Sequence, residues 1–264
     1  MKVALIQSHI IWENKEENIT RLKSDLIELC EYSLDLLLLP EMSFTGFSMN
    51  VGVTQDYNNY SCSQVVKLAK DNKIPIGFGW VERKGEKCRN HYSIVDSNGI
   101  LSDYEKIHPF SYGGETDFFT GGESISFCSI RDFVIGTQIC YDLRFPEVFQ
   151  ILSKKSSLII VPANWPSKRE KHWDILLQAR AVENQVYIAG INCMGEMNGM
   201  YYSGHSMIYS PDGSQCDYIK IDLNSGNCAF IFNLINDVDA YRCNFPLKND
   251  RRENLYRDLS LNGV

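Results

Sequence analysis

The sequence predicts a single α/β domain built from layers of helices and buried strands. Residues 1–7, 36–39 and 158–161 are short, largely apolar runs of the kind found in buried strands. Between the first two runs, apolar side chains recur at helical spacing through a charged segment at 19–30. This β-α-β opening favours a buried sheet covered by helices. The 264 residues, of which 44% are apolar, are enough for one large core.

The later elements alternate in the same way. Ser97-Asn98-Gly99 and Pro211-Asp212-Gly213 are turn sequences, and Pro146 suits the first turn of a helix. Further strands are expected at residues 74–81, 100–104, 133–139, 186–191, 206–209, 218–223 and 229–232. Further helices are expected at residues 64–70, 146–152 and 173–184. We expect residues 1–235 to form the core of the domain and 236–264 to form a polar, irregular C-terminal tail of the same domain.

The charge and the cysteine content exclude several classes of protein. The net charge is -7, and the basic residues are interspersed with acidic ones, so no positive patch is available for nucleic acid or anionic lipid. The first residues lack the apolar stretch of a signal peptide, and no later run is long enough to cross a membrane. Nine cysteines without a CxxC pair fit reduced thiols better than a disulfide framework. We therefore expect a cytoplasmic protein without a nucleic-acid or membrane partner.

Several common motifs of enzyme sites are missing from the sequence. The five histidines are far apart and show neither HxH nor HExxH spacing, so a metal site has no support. A GxSxG elbow for a serine nucleophile is missing, as are the GxxxxGK[ST] and GxGxxG loops that bind phosphates. We therefore predict neither a metal nor a cofactor.

Three reactive side chains, Glu41, Lys106 and Cys140, come directly after predicted strands. Ligands of α/β proteins bind at the carboxyl ends of strands, so we expect these three residues to share one site. Each alone has an ordinary explanation, as a solvated carboxylate, a surface charge or a buried thiol. Together they can carry out nucleophilic catalysis. A cysteine attacks as thiolate, a carboxylate accepts the thiol proton, and an ammonium stabilises first the thiolate and then the oxyanion.

The segments around these residues resemble the three signature segments of the nitrilase superfamily of carbon-nitrogen hydrolases. They read LLLLPEMSFTGFS, YEKIHPF and GTQICYDLRFPEVF, in the order that the superfamily shows. The resemblance covers nearly the whole chain and implies a four-layer α-β-β-α sandwich that pairs as a homodimer. It also implies that Glu41 is the general base, Lys106 the catalytic lysine and Cys140 the nucleophile.

Members of the superfamily carry a second glutamate near the site, a few residues after the lysine. Glu115 follows Lys106 at a suitable distance and fits this role best. Glu105 and Glu123 are the neighbouring alternatives, and a solvated carboxylate in a glycine-rich turn is the ordinary explanation for Glu115 itself.

Other segments, among them CYDLRFPE, PANWP and YYSGHSMIYSPDG, look most like the ω-amidase branch, which hydrolyses the terminal amide of α-keto acid amides such as 2-oxoglutaramate or 2-oxosuccinamate. Arg144 is our candidate for binding the substrate carboxylate through its planar guanidinium. The alternative is a structural ion pair of Arg144 with Asp142 or Glu147. The backbone N–H of Tyr141 is a candidate oxyanion donor, and Trp165 is a candidate wall of the pocket or a core residue.

Other functions stay open at this point. Deaminated glutathione or an N-carbamoyl amine is the alternative substrate within the superfamily. A catalytically silent binding protein on the same scaffold is disfavoured by the complete set of three reactive residues. A redox sensor based on Cys140 would need a resolving cysteine nearby, and the sequence does not identify one. We predict metal-free hydrolysis of a small amide that carries a carboxylate, through a cysteine thioester.

Overall fold

The computed structural model describes residues 1–261, and they form two β-sheets packed face to face between two layers of helices. One sheet has seven strands and the other has five. This architecture confirms the predicted α/β fold in its α-β-β-α form.

Strands and helices are numbered in chain order. The seven-stranded sheet runs, from edge to edge, through β13 (Tyr218–Asp222), β14 (Cys228–Asn233), β1 (Lys2–Gln7), β2 (Leu36–Leu38), β3 (Ile76–Lys84), β4 (Lys87–Asp96) and β5 (Gly99–Glu105). The five-stranded sheet runs through β12 (Met207–Tyr209), β9 (Tyr187–Asn192), β8 (Leu158–Ala163), β7 (Phe133–Thr137) and β6 (Phe127–Ile130). A separate hairpin joins β10 (Met194–Met197) and β11 (Met200–Ser203). The α-helices are α1 (Lys15–Glu28), α2 (Val51–Thr54), α3 (Tyr60–Asn72), α4 (Glu115–Phe118), α5 (Pro146–Leu152), α6 (Glu170–Asn184), α7 (Val238–Asn244) and α8 (Glu253–Leu261).

Strand β1 shows why the apolar runs of the sequence produce layers. Val3 and Leu5 belong to the core between the two sheets, whereas Ala4 and Ile6 pack in the core beneath α1 and α3. Successive side chains of a strand point to opposite faces, so a strand that is apolar throughout is stable only when both faces are buried. The continuous apolar runs therefore become central strands.

The five-stranded sheet is covered by α5 and α6. Phe149 and Leu152 of α5 are fully buried, as are Trp173 and Leu177 of α6. Their spacing places the apolar side chains on one face of each helix, which is the face that packs on the sheet. No helix within residues 1–261 is both long enough and apolar enough to cross a membrane.

The C-terminal stretch is more regular than the sequence predicted. From residue 236 onwards it contains α7, a 3-10 turn at Leu247–Asp250 and α8. Arg242 and Lys248 donate hydrogen bonds to the carbonyl of Ser153 at the end of α5, at 2.9 and 2.7 Å. These bonds satisfy a carbonyl that the helix itself leaves without a partner. Residues 262–264 of the predicted tail lie outside the described residues.

The loop that carries Glu41 is docked on strand β3 at Gly79. The Gly79 N–H donates to the Ser43 hydroxyl at 2.8 Å, and the Ser43 N–H donates to the Gly79 carbonyl at 3.0 Å. A Cβ on Gly79 would lie 2.2 Å from the backbone nitrogen of Met42 and 2.9 Å from the carbonyl carbon of Glu41. The close approach of the loop to the strand therefore requires glycine at this position.

We expect Gly79→Ala to push the Glu41 loop off strand β3 and to lower the free energy of unfolding. Overpacking of this kind costs about 1–3 kcal/mol, which urea denaturation can measure. Gly52→Ala in α2 is the control, because the nearest atom to its new Cβ is 3.6 Å away. Equal stability of the two variants would contradict the docking argument.

Candidate active site

Glu41, Lys106 and Cys140 meet at one end of the two sheets, although they follow three different strands. Lys106 and Cys140 line a cavity of about 220 Å³. Pockets for drug-sized ligands usually begin at about 300 Å³, so this cavity suits a small molecule. Its aromatic lining residues are Trp12, Phe47, Phe110, Tyr141, Trp165 and Tyr202.

Lys106 lies between two buried carboxylates. Its Nζ is 2.8 Å from Oε1 of Glu41 and 2.9 Å from Oε2 of Glu115. All three side chains are almost inaccessible to solvent. The Lys106 N–H also donates to the carbonyl of Asn90 on the neighbouring strand β4 at 2.8 Å, which fixes where the lysine leaves the sheet. A buried ammonium in this position is stable only because it has these partners.

The carboxylate of Glu41 accepts hydrogen bonds on both oxygens. Asn90 donates its side-chain amide to Oε1 at 2.8 Å, beside the bond from Lys106. The backbone N–H of Asn164 donates to Oε2 at 3.0 Å, and the side-chain amide of Asn164 holds the Glu41 carbonyl at 2.6 Å. These bonds leave the carboxylate little freedom to rotate.

Glu115 is the glutamate that the structure places beside Lys106. It begins α4, is fully buried, and accepts from the Phe110 N–H at 2.5 Å. Glu105 pairs instead with Lys84 at 3.0 Å. Glu123 is exposed.

The site holds two carboxylates, one ammonium and one thiol. Burial disfavours the charged form of Lys106, but Glu115 and Glu41 outweigh it and raise the pKa of the ammonium. Burial also raises the pKa of Glu115, and the charge on Glu41 adds to this shift. For Cys140, burial and the carboxylate of Glu41 raise the pKa of the thiol well above its ordinary value, while Lys106 opposes the shift. The resting thiol is therefore protonated near neutral pH, and a thiolate forms only when a base removes the proton.

Cys140 stands on a strained turn that a buried aspartate supports. Its φ is +46°, in the left-handed region that non-glycine residues rarely adopt. Asp142 accepts from the N–H of Ile139 at 3.0 Å, from the hydroxyl of Tyr104 at 2.9 Å and from the N–H of His108 at 2.9 Å. These bonds tie the turn to the segment that follows Lys106.

Arg144, Tyr141 and Trp165 all line the pocket, and Trp165 also belongs to the buried core, which was its alternative role. Their roles towards a substrate stay predictions. The Arg144 guanidinium lies 4.7 Å from the Trp165 ring centroid and 6.0 Å from that of Tyr141. In the described part of the chain, Arg144 forms no ion pair with Asp142 or Glu147, which were the alternative partners.

Sequence reasoning missed four residues of this region: Asn90, Asn164, Asp142 and Arg169. Asn164 sits in the PANWP segment and Asp142 in the CYDLR segment, so both were inside motifs that had been singled out. Asn90 lies in the middle of β4, where no local signal distinguishes it. Arg169 lies in a short 3-10 turn before α6 and also lines the pocket.

Within residues 1–261, two groups of side chains come close enough to hold a metal ion, and they were not expected from the sequence. One consists of Glu82, His91 and Glu105, and the other consists of Glu170, Asp174 and His205. Neither group includes a residue that lines the pocket of Cys140.

Two relatives are similar in sequence to this chain over most of its length. The omega-amidase YafV of Yersinia enterocolitica is 31% identical, over 95% of this chain and 96% of its own. The 2-oxoglutaramate amidase of Bacillus subtilis is 32% identical, over 80% of this chain and 83% of its own.

A solved structure and a family model agree with these similarities. XC1258 from Xanthomonas campestris, a CN-hydrolase superfamily protein with an arsenic adduct in its active site, superposes with a TM-score of 0.84. It is 25% identical, and the match covers 95% of this chain and 97% of that one. The model of the carbon-nitrogen hydrolase family matches residues 2–216. The chain therefore belongs to the carbon-nitrogen hydrolase family.

Proposed function

We propose that this enzyme is an ω-amidase, which hydrolyses the terminal amide of a short α-keto acid amide such as 2-oxoglutaramate or 2-oxosuccinamate. The observation that carries the proposal is that the half-buried Cys140 lines a small pocket together with Lys106, whose ammonium is paired with the buried carboxylate of Glu41. The names of the relatives from Yersinia enterocolitica and Bacillus subtilis support the substrate class.

In the first half of the proposed reaction, Cys140 attacks the amide carbon. Glu41, whose negative charge acts on the thiol, accepts the thiol proton. The carbonyl oxygen of the substrate becomes negative and is stabilised by the Lys106 ammonium and the N–H of Tyr141. The protonated Glu41 then gives its proton to the leaving nitrogen, so the C–N bond breaks, ammonia leaves and a thioester remains.

In the second half, water hydrolyses the thioester. Glu41 takes a proton from the attacking water, and the same donors stabilise the second oxyanion. The C–S bond breaks, the carboxylic acid leaves, and the thiol regains its proton from Glu41. The proposed steps use Cys140, Glu41, Lys106, the backbone N–H of Tyr141 and one water molecule.

Glu115 and Asn90 act as positioning residues in this proposal. Both contact the Lys106–Glu41 pair, with Asn90 also donating to Oε1 of Glu115 at 3.1 Å. Glu115 brings a second negative charge to Lys106 and so keeps the ammonium charged despite its burial. The charged ammonium is needed at the moment when the oxyanion forms.

The proposal is tested by measuring ammonia release from a panel of amides. We expect the highest kcat/KM with 2-oxoglutaramate or 2-oxosuccinamate, above glutamine, deaminated glutathione and N-carbamoyl compounds.

Cys140→Ala should abolish turnover because it removes the only atom that forms the thioester. Dialysis against EDTA should leave the rate unchanged. A clear preference for deaminated glutathione would show that the enzyme is a deaminated glutathione amidase instead of an ω-amidase. Substantial turnover by Cys140→Ala would show that Cys140 is not the nucleophile.

The role of Glu41 predicts that Glu41→Gln lowers both kcat and the pKa of the Cys140 thiol. We expect kcat to fall by about a hundredfold or more, because glutamine cannot accept the thiol proton. The pKa of the Cys140 thiol should fall at the same time, because the negative charge that raises it is gone. A pH titration of thiolate absorbance measures this pKa, with Cys140→Ala as the background for the other cysteines. A thiol pKa that stays the same or rises would contradict the electrostatic argument.

We also propose that the enzyme works in the cytoplasm and forms a homodimer. Its nine cysteines are all free, which fits a reducing compartment. Helices α5 and α6 pack together over the five-stranded sheet, and their outer faces expose Ile151, Ile175 and Val182. Exposed apolar side chains on two neighbouring helices support an interface between two copies of the chain.

Light scattering tests the dimer, with an expected mass near twice the 30.2 kDa of one chain. Ile175→Glu should yield monomers, because it places a charge in the proposed interface. Ile27→Glu on α1 is the matched control, since Ile27 is 72% exposed on the helix layer of the other sheet and its substitution should leave the dimer intact. A monomeric wild-type enzyme would refute the proposal.

A further inference from the structure

The pocket of Cys140 contains two guanidinium groups that have no carboxylate partner. Arg144 and Arg169 both line it. Among the ion pairs of residues 1–261, none involves either arginine. Lys106, by contrast, is balanced by two glutamates. The positive charge of the two arginines is thus unbalanced in a protein whose net charge is -7.

Both guanidiniums are held by aromatic rings. Arg144 lies 4.7 Å from the centroid of Trp165, and Arg169 lies 5.5 Å from the centroid of Phe110. The indole N–H of Trp165 donates to the carbonyl of Arg169 at 2.8 Å, so one tryptophan connects the two arginines. The Nη2 atom of Arg144 lies 3.4 Å from Nδ1 of His172, a long contact that involves one of its nitrogens. A guanidinium supported by an aromatic ring presents its other in-plane N–H groups to a planar anion.

The two charges are close enough to affect each other. Burial lowers the pKa of Arg144, and the neighbouring charge of Arg169 lowers it further. Holding two like charges together in a partly desolvated pocket costs free energy, and a bound anion relieves this repulsion. The pocket is therefore arranged for a ligand that brings negative charge.

We infer that Arg169 is a specificity-determining residue which, together with Arg144, binds the far end of the substrate and selects an α-keto carboxylate over a lone carboxylate. This inference rests on the proposed amidase function. One guanidinium satisfies the two oxygens of a carboxylate in a bidentate pair. The second guanidinium then has donors for one more acceptor, which the adjacent keto oxygen supplies.

The same geometry disfavours an α-amino group. An amino acid amide such as glutamine would place an ammonium where the keto oxygen binds, beside two arginines. Like charges in such a position are strongly unfavourable. The two arginines thus account for a preference between keto and amino substrates that one arginine does not explain.

The test compares Arg169→Met with the wild type on three amides of similar length. These are 2-oxoglutaramate, glutaramate, which lacks the keto group, and the neutral pentanamide. We expect Arg169→Met to lose about ten- to a hundredfold in kcat/KM on 2-oxoglutaramate, mainly through KM, and to lose much less on glutaramate. Methionine keeps an apolar stem against Phe110, and the backbone carbonyl of Arg169 still accepts from Trp165. Lys168→Met is the matched control, because Lys168 is exposed in the same turn and does not line the pocket.

Binding of the products separates this inference from the proposed function. In the Cys140→Ala background, calorimetry should show tighter binding of 2-oxoglutarate than of glutarate, and Arg169→Met should remove the difference. An equal loss on all three amides, or no loss of the binding preference, would overturn the inference. An enzyme that cleaves none of the amides but shows the binding preference would keep the inference about Arg169 and overturn the ω-amidase proposal.

Discussion

The buried ammonium of Lys106 is the interaction on which the candidate site depends. It brings together Glu41 and Glu115, two carboxylates that would repel each other in a space without water. Burial raises the pKa of the Cys140 thiol, and the charge of Glu41 raises it further against the opposing charge of Lys106. The charged groups that hold one another in place therefore also act on the proposed nucleophile.

The position of each charged group follows from the way the sheets are built. Glu41 follows a central strand, Lys106 follows an edge strand, and Cys140 follows a strand of the opposite sheet, yet all three leave the sheets at the same end. The apolar strands make the scaffold rigid, and the polar side chains begin where the strands stop. Asn90 is the exception, because it reaches Glu41 and Glu115 from within β4.

Much of this arrangement could be predicted from local patterns. Continuous apolar runs predicted the central strands, and the reactive residues after them were expected to share a site. The short strand β6 was missed, since a four-residue strand carries little β signal. The β10–β11 hairpin was missed although its turn, Asn198-Gly199, is a sequence typical of two-residue hairpins. Asn90 and Arg169 became visible only in three dimensions, because their importance comes from neighbours distant in sequence. The catalytic roles and the boundary at residue 235 stay predictions.

The pairing of the first strand with the last has a consequence for biosynthesis. Strand β1 lies between β2 and β14, with Lys2 opposite Asn233 and Gln7 opposite Cys228. One hydrogen-bonding edge of the most N-terminal strand therefore stays open while the ribosome makes almost the entire chain. Such late closure slows folding and exposes an apolar edge to other nascent chains. A chain that terminates before residue 228 would keep that edge permanently and would be a substrate for chaperones or proteases instead of a partial enzyme.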